Sequence, residues 1–201
     1  GTVFVWGNTD TGGNNSQIDG LTNVKAIYSN GFAFAALRYD GKVFVWGDDS
    51  NGGDNSQIEG LTNVKAIYST KFAFAALKDD GTVVVWGNPE FGGDNSQIDG
   101  LTNVKAIYSN DNAFAALKNN GTVVVWGNPE FGGDNNRLIK GLTDVKAIYS
   151  TNFAFAALKD NGTVVVWGDP EYGGDNSQIE GLTNVKAIYS DSMAFVAEYL
   201  K

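Results

Sequence analysis

The residues able to do chemistry in this sequence are carboxylates, amides and aromatics, because it contains no histidine and no cysteine. That removes disulfides, thiolate chemistry, the usual zinc sites and every histidine-based general base or triad. Adjacent acids such as Asp79-Asp80 have the composition for acid–base work. They precede a glycine in a turn signal, however, where carboxylates are solvated and unconstrained. No catalytic residue, cofactor or metal site is assigned, and a protein that binds rather than catalyses is expected.

Two recurring segments could form binding surfaces. One is Gly-Gly-Asp-Asn with an aromatic before it: Phe91 with Asp94 and Asn95, Phe131 with Asp134 and Asn135, Tyr172 with Asp175 and Asn176. An aromatic plane beside a carboxylate and an amide has the chemistry of a sugar pocket. Calcium also prefers oxygen ligands but needs six to eight of them, and each copy offers too few. The third reading, turn chemistry, has glycine supplying positive φ while Asp and Asn bond the local backbone. In the first two copies Thr11 and Asn51 replace the aromatic.

The other segment is the triplet after each Ala-Ile-Tyr-Ser. It reads Asn30-Gly31-Phe32, Thr70-Lys71-Phe72, Asn110-Asp111-Asn112, Thr151-Asn152-Phe153 and Asp191-Ser192-Met193. Neighbouring positions barely change between copies while these do. A varied loop between two constant strands is where rigid scaffolds carry specificity; drift at a tolerant turn is the alternative. Phe32, Phe72 and Phe153 agree in three copies, as partly buried residues would.

The elements that must position these segments follow from the period. Tryptophan falls at Trp6, Trp46, Trp86, Trp126 and Trp167, and tyrosine at Tyr28, Tyr68, Tyr108, Tyr149 and Tyr189, both stepping by 40, 40, 40 and 41 residues. The extra residue lies in Asn136-Arg137-Leu138-Ile139-Lys140. Such self-similarity marks a repeat architecture. Each unit contains three strands, typified by Val104–Ser109, Ala73–Leu77 and Thr82–Gly87. The last is apolar on both faces and wants cover on both sides. Asp40-Gly41, Asp80-Gly81, Asn120-Gly121 and Asn161-Gly162 read as two-residue type I′ hairpin turns. Three alanines in one short strand need a reason, since alanine is a poor strand former. Either the strand lies at or next to a crowded axis, or the alanines sit under a neighbour's tryptophan. The tryptophans themselves read as core rather than as a ligand platform. Lys25, Lys65, Lys105, Lys146 and Lys186 read as rim charges.

The expected fold is all-β, a five-bladed β-propeller in one domain, with units near 1–40, 41–80, 81–120, 121–161 and 162–201. The first unit lacks its leading strands and the last its trailing ones, so a ring would close with Thr2–Trp6 and Ala194–Leu200 sharing one blade. Closure removes exposed sheet edges, and a monomer is expected. The chain begins within the pattern at Gly1-Thr2-Val3, as a trimmed or processed segment would. Acids outnumber bases 23 to 14 for a net charge of −9, which opposes nucleic acid and anionic membrane surfaces as partners. No apolar run reaches membrane-spanning length. Three roles remain: a protein- or peptide-binding scaffold, a multivalent carbohydrate-binding lectin, and a structural or engineered repeat with no selected ligand.

The string Val-Lys-Ala-Ile-Tyr-Ser, Ala-Phe-Ala-Ala-Leu-Lys, Asp-Gly-Thr-Val-Val-Val-Trp-Gly resembles the regulator of chromosome condensation repeat along the whole chain. The resemblance implies a propeller, typically of seven blades with longer repeats. The family's Gly-x-x-His is here Ser-x-x-Phe, as at Ser29 to Phe32, and its Gly-Gln-Leu-Gly loop is Gly-Gly-Asp-Asn. In this the chain is similar to compact variants in large repetitive bacterial proteins, often surface-associated. The acidity and these departures oppose carrying over the founding member's exchange activity or chromatin binding.

Overall fold

A computed structural model describes residues 1–200. Among the described residues, fourteen strands form five antiparallel sheets. The first four sheets have three strands each: β1 (Val24–Ser29), β2 (Ala33–Arg38) and β3 (Val43–Gly47); β4 (Val64–Ser69), β5 (Ala73–Lys78) and β6 (Val83–Gly87); β7 (Val104–Ser109), β8 (Ala113–Lys118) and β9 (Val123–Gly127); β10 (Val145–Ser150), β11 (Ala154–Lys159) and β12 (Val164–Gly168). The fifth pairs only β13 (Val185–Ser190) with β14 (Phe195–Tyr199), and residues 1–6 belong to no strand. Contacts group the chain into two compact units, Gly1–Thr102 and Asn103–Lys201.

The alanine-rich strand is the middle one of each complete sheet, which explains its composition. In the first unit Ala33, Ala35, Leu37 and Val45 of one sheet pack against Ile67, Phe74, Ala76 and Trp86 of the next. In the second unit Ala113, Ala115 and Leu117 meet Ile148, Phe155 and Trp167 in the same way. Small side chains on one face leave room for the neighbour's stacked Phe–Trp pair, whose centroids lie 5.3 Å apart in Phe74–Trp86 and 5.4 Å in Phe155–Trp167. Large aromatic area against alanine gives the density that interiors require. Adjacent sheets also meet along their first strands, where Ser69 Oγ donates to the Ser29 carbonyl at 3.1 Å and Ser150 Oγ to that of Ser109 at 2.9 Å. The second position of those strands, Lys65, Lys105, Lys146 and Lys186, faces solvent.

The hairpins correct one expectation. Only the glycine of each Asp-Gly or Asn-Gly pair has positive φ, for example Gly81 at +79°, and the preceding Asp or Asn does not. The turn is therefore not type I′. Gly81 N–H donates to the Lys78 carbonyl and Lys78 N–H to that of Thr82, both at 3.0 Å, the pattern of a longer turn ending in a left-handed glycine. Asp80 stabilises it by accepting Thr82 N–H at 3.0 Å and Thr82 O–H at 2.6 Å. That engagement, the hydroxyl first and the amide second, holds the Asp80 carboxyl below the usual carboxylate range. Within each unit the tips are also tied to the next sheet: Val64 N–H donates to the Gly41 carbonyl at 2.9 Å, Val145 to that of Gly121 at 3.0 Å and Val185 to that of Gly162 at 2.9 Å.

Candidate binding surface

The Gly-Gly-Asp-Asn segments resolve into distinct tasks. After the third strand the chain makes a short 3-10 turn, Pro89–Phe91, which ends at Gly92 with φ +102°. The first glycine of the pair is needed because a Cβ there would enter a neighbour's ring: at Gly52, with φ +110°, it would lie 2.7 Å from Phe74 Cδ2. The following Asp caps the next 3-10 turn. Asp54 accepts Ser56 N–H at 2.8 Å and Ser56 O–H at 2.8 Å, and Asp94 and Asp175 make the same pair. These bonds, the amide first, hold the carboxyls of Asp54 and Asp175 below their ordinary range.

The Asn of each copy does something the sequence did not reveal. Asn95 Oδ1 accepts Val85 N–H at 3.0 Å, and its Nδ2 donates to the Val85 carbonyl at 2.7 Å. Asn15 on Val5, Asn55 on Val45 and Asn176 on Val166 repeat the clasp, as does Asn135 on Val125. One amide thus satisfies the outward-pointing backbone of the third strand and blunts its free edge. The signal was a constant ten-residue spacing in every copy. Asn95, Asn135 and Asn176 serve the backbone, and Asp94 and Asp175 serve the turn.

The aromatic residues before the glycines belong with the variable triplets. The first triplet residue links the two loops: Thr70 Oγ1 donates to the Phe91 carbonyl at 3.0 Å, Asn110 Nδ2 to that of Phe131 at 2.7 Å, and Thr151 Oγ1 to that of Tyr172 at 3.0 Å. Asn30 makes the equivalent bond to Asn51 at 2.8 Å. The third residue then meets neighbouring rings, stacked in Phe32–Phe72 and tilted or edge-on in the others. Phe72 lies 4.4 Å from Phe91 and 5.3 Å from Phe32; Phe153 lies 4.5 Å from Tyr172 and 5.2 Å from Phe131, all between centroids. All six rings are half-buried. What the sequence presented as two candidate surfaces is, at its aromatics, one row in each unit.

The second triplet residue is the one left to vary outward. Gly31, Lys71 and Ser192 are exposed, and Asp111 and Asn152 partly so; Lys71 Nζ stands 5.9 Å over the Phe72 ring. Asn112 departs from the row because it is buried where three other copies carry Phe, and its Nδ2 has no partner among the described residues. Asp191 accepts the amides of Met193 and Ala194, which lower its carboxyl's affinity for protons, and Met193 is exposed. Asp134 lies exposed beside these segments. Trp46, Trp86, Trp126 and Trp167 are core, whereas Trp6 is 81% exposed. No helix among the described residues is long and apolar enough to cross a membrane.

Comparison with known proteins places this geometry. Residues 24–52 match the regulator of chromosome condensation (RCC1) repeat. No curated protein sequence matches the chain. Among solved structures, yeast RCC1 (Prp20) crystallised with Kap60 aligns over 84% of this chain and 52% of its own, at 18% identity and a TM-score of 0.58. Prp20p from Saccharomyces cerevisiae, studied for its binding to Gsp1p and histones, aligns over 74% and 46% at 20% identity and 0.52. Human WBSCR16 aligns over 89% and 58% at 18% identity and 0.53. The chain spans about half the length of these structures. Residues 24–52 thus match one such repeat, and the same residue pattern recurs along the chain at a period of 40 or 41 residues.

Proposed function

We propose that this protein is a non-enzymatic scaffold that binds a protein or peptide through the row formed by the triplets and the aromatic turns. The observation that carries the reading is the joining of the two loops: a part-buried hydrogen bond fixes the Thr70, Asn110 and Thr151 triplets to their aromatic turns, so half-buried rings are held beside a residue that varies in charge. Rigid aromatic anchors flanked by adaptable polar residues are the composition of interface hot spots. The yeast structures fit this class, since that protein is described with Kap60, Gsp1p and histones as partners. The net charge of −9 favours a basic protein partner over nucleic acid. The framework we assign is a five-bladed monomeric ring in which Thr2–Trp6 and β14 share the last blade. The five repeats of one period, each folded as an antiparallel sheet, support it.

The test is selection from a displayed random-peptide library, followed by affinity measurement on Phe72→Ala and Phe153→Ala. Binders should lose about tenfold or more on either substitution, while thermal unfolding shows the variants folded. Binders indifferent to both, or displaced by free monosaccharide, would move the function off this surface or to the carbohydrate class.

A further inference from the structure

The two units fill one equivalent place differently, and the first shows what fits there. Lys71 is the one cation in the triplets and aromatic turns of either unit. Its stem runs over Gly31, where an added Cβ would lie 3.3 Å from Lys71 Cγ and 3.8 Å from its Cε. Its Nζ ends 5.9 Å from the centre of the Phe72 ring, within the reach at which a ring's quadrupole attracts a cation. The backbone sets the pair side by side, because Gly31 N–H donates to the Lys71 carbonyl at 3.1 Å.

The second unit repeats this frame without the cation. Asp111 N–H donates to the Asn152 carbonyl at 3.0 Å, so Asp111 stands to Asn152 as Gly31 stands to Lys71. Phe153 takes the place of Phe72, with Tyr172 at 4.5 Å where Phe72 has Phe91 at 4.4 Å. No cation stands over Phe153 among the described residues. Carboxylates surround the place instead. Asp111 replaces the glycine, and Glu130 and Glu171 are exposed immediately before Phe131 and Tyr172. Their amides are fixed to Asn128 Oδ1 at 3.0 Å and Asp169 Oδ1 at 2.9 Å. The lysines of this unit's strands lie elsewhere: Lys118 pairs with Val104 and Lys159 with Val145, at the far ends of strands whose Ser109 and Ser150 lead into the triplets.

We propose that Phe153 binds a lysine or arginine side chain of a partner peptide, at the place that Lys71 fills over Phe72. Asn152 is short and neutral and leaves the face of the ring open, while Asp111, Glu130 and Glu171 supply the complementary charge. The occupant is a basic peptide because a cation meets both a ring and carboxylates here, and no base on these loops of the second unit competes for them. Complementarity of this kind speeds encounter and disfavours acidic partners. The first unit is self-filled at the equivalent place. The inference rests on the reading that this row binds a protein or peptide, and it names the chemistry of that partner.

For the test, peptides selected from the random library for dependence on Phe153 are resynthesised with each lysine changed to norleucine and each arginine to citrulline. Fluorescence anisotropy gives Kd for both forms at low and at raised salt. The neutral forms should bind about tenfold or more weakly, and salt should weaken only the charged ones. Asn152→Lys, which copies the Lys71 arrangement, should fill the place from within and cost the charged peptide about tenfold, while thermal unfolding shows the chain folded. Phe153→Leu keeps an apolar side chain but removes the ring face, and should cost about threefold or more. Asp111→Asn should weaken binding, whereas Asp160→Asn, which removes the same charge at a hairpin tip, should leave Kd unchanged. Phe153-dependent peptides that carry no cation, or that bind equally well in neutral form, leave the scaffold reading standing and overturn this inference. Unchanged affinity in a folded Asn152→Lys chain overturns it as well. No Phe153-dependent peptide at all overturns both readings. Tetramethylammonium chloride that binds as tightly as the peptide, and is blocked by Asn152→Lys, would overturn the peptide as occupant in favour of a small ammonium ligand.

Discussion

The asparagine clasp can be tested by its energetic weight. Asn95→Ala removes two hydrogen bonds, at 3.0 and 2.7 Å, from the Val85 amide and carbonyl. A typical intramolecular bond contributes about 0.5–1.5 kcal/mol net, and a part-buried backbone group left without a partner costs more than the bond itself. Because the clasp is only partly buried, water recovers some of that cost, and about 2 kcal/mol is expected in total. For a chain of this size one kcal/mol moves Tm by about 2–4 °C, so the variant should melt about 4–8 °C lower. Asn95→Asp keeps an acceptor for the amide but sets a carboxylate oxygen against the Val85 carbonyl, so it should be no better than alanine. Thermal unfolding by circular dichroism, with urea titration as a second measure, reads both. A shift below about 1 °C for Asn95→Ala would show that solvent replaces the clasp at no cost and that the free edge needs no guard.

Three further outcomes follow from the same geometry. Gly52→Ala should destabilise by about 2–4 kcal/mol because its Cβ meets Phe74 at 2.7 Å; Gly60→Ala, with φ +77° and nothing within 4 Å, should cost only about 1 kcal/mol. Equal losses in urea unfolding would refute the steric account. Asp54 and Asp175 have carboxyls held low by Ser56 and Ser177, so their contribution is full above the unfolded value of about 3.9 and is lost as pH falls through the lower folded value. Asp54→Asn with Asp175→Asn keeps the caps, so stability measured against pH should fall less steeply below about pH 4; an unchanged acid limb would contradict this. Chelator should leave Tm unaltered, since the Asp94 carboxylate is already engaged by Ser96 and a metal bound only to the native state would raise Tm; a drop on chelation would reassign these turns.

Much of the fold was legible because the repeat multiplies weak signals. One Val-x-Val-Trp-Gly is an ambiguous apolar run, but five at a fixed period point to a strand covered on both faces, which the last four copies form. The alanines were legible only as a problem, because the reason for them, a Phe–Trp pair on the next sheet, lies outside their own unit. The hairpins were misread because Asp-Gly satisfies two turn types, and only backbone angles distinguish them. Asn95 was hidden in a motif that accounts for it locally, while its partner lies ten residues back on a strand. The union of the triplets with the aromatics was accessible from topology. A residue just before β5 and one just after β6 must lie at the same end of an antiparallel pair, which is where Phe72 and Phe91 meet.

The one irregular repeat shows which contacts the architecture requires. The extra residue in 136–140 replaces a 3-10 turn by α1 (Arg137–Lys140), a lengthening that disturbs any contact dependent on local spacing. Two contacts survive it. Asn135, before the insertion, still clasps Val125, and Ile139, after it, is buried as Ile98 is. Capping was rebuilt between them: Asn136 accepts the amides of Leu138 and Ile139 at 2.9 and 3.3 Å, taking over the task of Asp94. The new α turn leaves Leu138 43% exposed, so the insertion is accommodated outward while the guarded edge and the apolar plug stay fixed. A cap can be supplied by any short polar side chain near a turn's start. The clasp needs one amide carrying both a donor and an acceptor at one place, which is why the asparagine is constant in all five copies and the capping residue is not.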